Sequence, residues 1–210
     1  MFYNNQFAAR DPKAAAERQM DKYVAEWGIM LDTCPLMHDA APLFFSHLAS
    51  RLQSYRKQVM VPTAVIAELS KLAGDGTNSE KSKKAARGLQ ILVHLLQMGL
   101  LKKVGYDKDH FADGTILSYL QRICADGNVL LVTQDKNLGR DVLRMNQYRL
   151  GGMHKIHVRQ VNRYGYFSPI RLPFQAQTGG FPQEGLMHSA RQDAVLLAHM
   201  PASPWNSVSF

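Results

Sequence analysis

"VLLVTQDKNLGRDVLRM", residues 129–145, opens on four branched apolar residues, turns a corner at Thr133, Gln134 and Asp135, and leaves with apolar residues at helical spacing. The first part reads as a buried strand and the second as an amphipathic helix. Asp135 stands where the one stops and the other starts. Taken alone it is a helix cap, since Asp is a preferred residue at that position. It means more if other strands of the same sheet also end in carboxylates.

Upstream, the same alternation of strand and helix recurs. Residues 11–26, "DPKAAAERQMDKYVAE", place Asp before Pro at the head of a run of strong helix formers and predict an N-terminal helix. "WGIMLDT" is a strand ending at Asp32, followed by a loop and a helix from about Leu43. "VMV" is a short strand, "PTAVIAELSKL" a helix opened by Pro62, and "AGDGTNSE" a polar loop. Residues 80–100 predict a long helix, basic and then apolar, and "LKKVGY" a further strand. "DGTILSYLQRICADG" predicts a helix capped by Asp113 and closed near Gly127, and "HKIHVRQV" a last strand. Such alternation implies crossover units and a central parallel sheet with helices on both faces, an α/β class. The expected organisation is a helical extension over residues 1–26, the α/β domain over 27–160, and a C-terminal extension over 161–210. The last is rich in Pro, Gly and Gln, with a short helix near its end.

The 210 residues are 46% apolar and 20% charged, a globular balance, and no apolar run approaches a membrane span. The N-terminus lacks the apolar core of a secretory signal, so the expected location is the cytoplasm. Cys34 and Cys124 form no metal-binding pair and are expected as reduced thiols. A net charge of +8 favours polyanionic partners, because cationic side chains that neutralise phosphates release counterions.

Ligands of an open parallel sheet bind outside the carboxyl ends of its strands. Asp32 and Asp135 occupy such ends, Glu68 lies one or two turns into the helix after "VMVP", and Asp113 heads the helix before the fourth strand. Four carboxylates gathered there repel one another unless a cation joins them, and an all-oxygen site suits Mg²⁺ or Mn²⁺ rather than zinc. Asp32 is the hardest to explain otherwise, for it ends a strongly apolar strand where an unpaired charge is costly. Glu68 also reads as an exposed residue with Lys71 as its surface partner.

On "IMLDT", "VPTAVIAELSKL", "FADGTILSYL" and "LLVTQDKNL", in that order and approximate separation, the chain resembles PIN-domain nucleases over roughly residues 27–160. The resemblance implies a PIN-like three-layer α/β/α sandwich and a Mg²⁺- or Mn²⁺-dependent endoribonuclease that cuts with an activated water. Asp32 and Asp135 are then direct metal ligands, and Glu68 and Asp113 complete the site directly or through water. Thr133 and Asn137 are secondary candidates, Thr33 a poorer one, and Asp141 is expected to face solvent. The alternatives are a non-cleaving RNA-binding or scaffolding module and a toxin of a toxin–antitoxin pair.

RNA is the expected partner, with DNA left open, together with a homo-oligomer or an inhibitory or recruiting protein, and no membrane. Lys81, Lys83, Lys84 and Arg87 in "EKSKKAARG" are candidate phosphate contacts or a solvated helix end. In "RQVNRYGYFSPIR", Arg159, Arg163, Tyr164, Tyr166 and Phe167 interleave charge with rings, suited either to phosphate contact and base stacking or to packing over the sheet edge.

Overall fold

The computed structural model describes residues 11–76, 79–105, 112–148 and 154–171. All fall within one compact unit. The C-terminal extension from residue 172 onward, and the short helix expected in it, lie outside the described residues.

Helix α1 (Pro12–Glu26) starts where Asp11 accepts the Lys13 N–H at 2.9 Å, with Pro12 supplying a first-turn position that needs no donor. Then follow β1 (Gly28–Leu31), the short α2 (Thr33–Met37), α3 (Ala41–Ser54), β2 (Val59–Pro62) and α4 (Thr63–Ala73). Next come α5 (Glu80–Gln97), capped by Ser79, β3 (Leu101–Val104), α6 (Ala112–Ile123) and β4 (Val129–Val132). Helix α7 (Lys136–Tyr148), β5 (Ile156–Val161) and β6 (Phe167–Pro169) complete the unit.

The sheet runs in the order β3-β2-β1-β4-β5-β6, parallel throughout except that β6 returns antiparallel on β5. The strand order grows outward in both directions from β1 and β4, so the chain reverses its winding between them. Crevices open at the carboxyl ends of the strands flanking such a point. In register, Leu31 lies opposite Val132, which brings the residues after β1 and β4 side by side.

Successive residues of a strand face opposite sides. Ile29, Met30 and Leu31 of β1 and all four residues of β4 are buried, so helices cover both faces, as in a three-layer α/β/α arrangement. Helix α1 joins this core with Met20 and Val24 fully buried, rather than lying apart as an extension. Helix α5 crosses α2 closely at Gly88, where a Cβ would stand 3.1 Å from the Leu36 carbonyl oxygen. Two elements were not read from the sequence. Helix α2 is a five-residue turn carrying Pro35, and β6 lies in the Pro- and Gly-bearing stretch taken for a tail.

Candidate active site

Asp32 caps α2 at the end of β1 and is only 4% exposed. Its Oδ1 accepts the Thr33 N–H at 2.6 Å, and its Oδ2 accepts the Thr133 hydroxyl at 2.7 Å. Thr133, fully buried, in turn accepts the Asp135 N–H at 2.9 Å. One hydroxyl therefore ties together the acids that end the two central strands. Asp135 caps α7 as expected, its Oδ1 accepting the N–H groups of Asn137 at 2.6 Å and Leu138 at 3.2 Å. Capping leaves its other carboxylate oxygen free of that duty.

Glu68 is drawn into the same group by Thr33, whose hydroxyl donates to Oε2 at 2.6 Å. A continuous chain of hydrogen bonds thus runs Glu68, Thr33, Asp32, Thr133, Asp135. Thr33, ranked below Thr133 on the sequence, is its second link. The spacing carried no sign of this, because whether a hydroxyl beside Asp32 meets Glu68 depends on how α4 lies over α2.

Asp113 sits in the first turn of α6, inside the helix rather than at its cap. Desolvation pushes its carboxyl above the usual range, and the neighbouring Asp135, Glu68 and Asp141 push it the same way. Burial likewise raises Asp32, opposed by the hydrogen bonds from Thr133 and Thr33 and reinforced by Asp113. All four acids therefore share one electrostatic neighbourhood, and Asp141, expected to face solvent, is exposed but adds to it. Cys34 borders the group: burial first, then Asp32, Asp135 and Glu68, push its thiol up to about 12, so it stays protonated at neutral pH. Neither cysteine is in a disulfide. Among the described residues, no three His, Cys, Asp or Glu side chains form a ready-made metal-binding cluster.

The other candidates divide. Asn137 turns its side chain to Arg140, which donates to its Oδ1 at 2.7 Å. Lys81 and Lys83 are exposed, whereas Lys84 pairs with Asp39 at 2.7 Å and with Glu80 at 3.7 Å. Arg87 donates to the His38 carbonyl oxygen at 3.0 Å. In the basic aromatic stretch, Tyr166 and Phe167 are buried and Arg159 lies over the Tyr23 ring at 5.4 Å, while Arg163 and Tyr164 face outward. Among the described residues no helix is long and apolar enough to cross a membrane. No protein-family model matches the chain, and no curated protein matches it.

Proposed function

We propose that this chain is a PIN-like, divalent-cation-dependent endoribonuclease. What supports the proposal is the hydrogen-bonded run from Glu68 through Thr33, Asp32 and Thr133 to Asp135 beside the point where the sheet reverses its winding, with Asp113 near enough to feel the charges of Asp135 and Glu68. The donor set fits a hard cation: it is made of carboxylate oxygens backed by two threonine hydroxyls, and it repels itself when empty of positive charge. Asp32 and Asp135 would hold Mg²⁺ or Mn²⁺, with Glu68 and Asp113 completing the site directly or through the waters such ions retain. When bound, the ion supplies Lewis acidity, making a water nucleophilic near neutral pH and offsetting charge on the phosphate.

The chain's own residues do the remainder. Thr133 hydrogen-bonds both the Asp32 carboxylate and the Asp135 N–H, and Thr33 holds one oxygen of the exposed Glu68 carboxylate, so that less reorganisation is left for the reaction. Glu68 and Asp113 are exposed and Asp135 is half-buried, so these three are open to water, whereas Asp32 is buried and suited to bind.

The test is incubation of purified protein with a mixed RNA pool, in Mn²⁺ or in EDTA, beside Asp32→Asn and Asp135→Asn. Cleavage that needs Mn²⁺ and falls about a hundredfold or more in both variants, with RNA binding kept, is the expected result. Equal cleavage by the variants contradicts the assignment.

A further inference from the structure

The tip of the β5–β6 hairpin is built to hold two side chains outward. Asn162 shapes it: its Oδ1 accepts the N–H groups of Tyr164 at 2.9 Å and Tyr166 at 3.1 Å, and its backbone oxygen accepts the Gly165 N–H at 3.0 Å. Gly165 has φ +70°, and a Cβ there would stand 2.8 Å from Leu43 Cγ and 2.9 Å from the Phe44 nitrogen, so the tip is seated directly on the start of α3. Below it, buried Tyr166 stacks on His47, with ring centroids 4.6 Å apart.

What this rigid tip presents is the Arg163 guanidinium 4.7 Å over the ring of Tyr164, which is 57% exposed. Beside it lies an open groove of about 500 Å³ lined by His38, Asp39, Ala40, Pro42, Leu43 and Arg163. His38 Nδ1 accepts the Ala40 N–H at 3.1 Å, which leaves Nε2 as the donor of the neutral ring. Of the lining side chains Arg163 carries a positive charge and Asp39 a negative one, and the Asp39 carboxylate is paired with Lys84 at 2.7 Å.

We infer that this groove is a subsite for one nucleotide of single-stranded RNA, its base stacked on Tyr164 and its phosphate on Arg163. An exposed ring with a cation over one face offers the other to a base, and stacking of this kind is indifferent to sequence. The position suits the acidic site: Asp32 begins α2 and His38 ends it, roughly 9 Å apart at the helical rise of about 1.5 Å per residue. The assignment of RNA as ligand rests on the function proposed above, although binding at this groove requires no cation.

The experiment is fluorescence anisotropy of a labelled short oligouridylate in EDTA, so that cleavage plays no part, with a duplex RNA as second probe. Tyr164→Ala should weaken binding of the single strand about tenfold and Tyr164→Phe hardly at all, while Arg163→Ala should weaken it and flatten its salt dependence by about one unit of slope. Tyr55→Ala, an exposed ring on another part of the surface, should change nothing. Failure of the wild-type chain to bind the oligonucleotide, binding by Tyr164→Ala equal to wild type, or an equal loss with the duplex would each overturn the subsite. A chain that binds through Tyr164 but cleaves no RNA in Mn²⁺ would overturn the nuclease proposal and leave the subsite standing.

Discussion

The carboxyl edge of the sheet and the seam where α1 meets β5 and β6 are built on opposite principles. At the seam, rings meet rings: Tyr23 packs edge-on against Trp27 at 5.5 Å and Phe167 at 5.6 Å, Trp27 stacks on His157 at 4.1 Å, and Phe44 meets Phe167 at 5.4 Å. Each contact adds buried apolar area and a favourable ring geometry. The imidazole there is biased towards its neutral form, with burial first and then Arg159 and Lys155 lowering the pKa of His157. At the edge, acids are brought together and partly desolvated, which works against folding unless a cation is present. The seam stabilises the fold, and the edge draws on that stability to keep its hydrogen-bonded acids in place.

The sharpest separation of the two regions is expected from Phe44→Ala. Phe44 is fully buried, so the variant should lose about 3–5 kcal/mol in urea unfolding while cleavage per folded molecule stays unchanged. A loss of cleavage in the folded fraction would show that seam and edge are coupled. A smaller effect of a different kind is expected from Thr133→Val, which keeps the shape but strands Asp32 Oδ2 and the Asp135 N–H. Stability should fall by about 1–3 kcal/mol, and Mn²⁺-dependent cleavage of the remaining folded protein by roughly tenfold. Cleavage at the wild-type rate would deny the hydroxyl its role as the link between the two acids.

The sequence made the parallel part of the sheet legible, because buried strands such as "NVLLVT" are continuous apolar runs bounded by polar corners. The same rule hid β6, whose three residues include Ser168 and Pro169 and whose pairing with β5 is set by the Asn162–Gly165 turn. Asp32 and Asp135 could be placed at a shared edge from strand ends alone. Thr33 could not, since its role arises from one contact between α2 and α4. Charge interleaved with rings from Arg159 to Phe167 left the direction of each side chain open. The hairpin divides them, turning Tyr166 and Phe167 into the core and Arg163 and Tyr164 out. The parallel core agrees with the α/β expectation, while the PIN resemblance and the activity it implies remain the proposal stated above.

The central claim, that the acids of the carboxyl edge form a cup awaiting a cation, is tested most directly by thermal unfolding of the wild type and Asp32→Asn from acid to neutral pH, with and without Mn²⁺. Burial holds the Asp32 carboxyl above its ordinary value of 3.8. Its contribution to stability is therefore present in full below that value and is lost as pH rises through the raised pKa. Without Mn²⁺, the Asn variant should gain on the wild type as pH rises, reaching a Tm higher by a few degrees, since about 1 kcal/mol moves a domain of this size by about 2–4 °C. Mn²⁺ should raise the Tm of the wild type at neutral pH and leave Asp32→Asn nearly unmoved. A wild type that stays the more stable of the two at every pH, and that Mn²⁺ does not stabilise, would contradict the account.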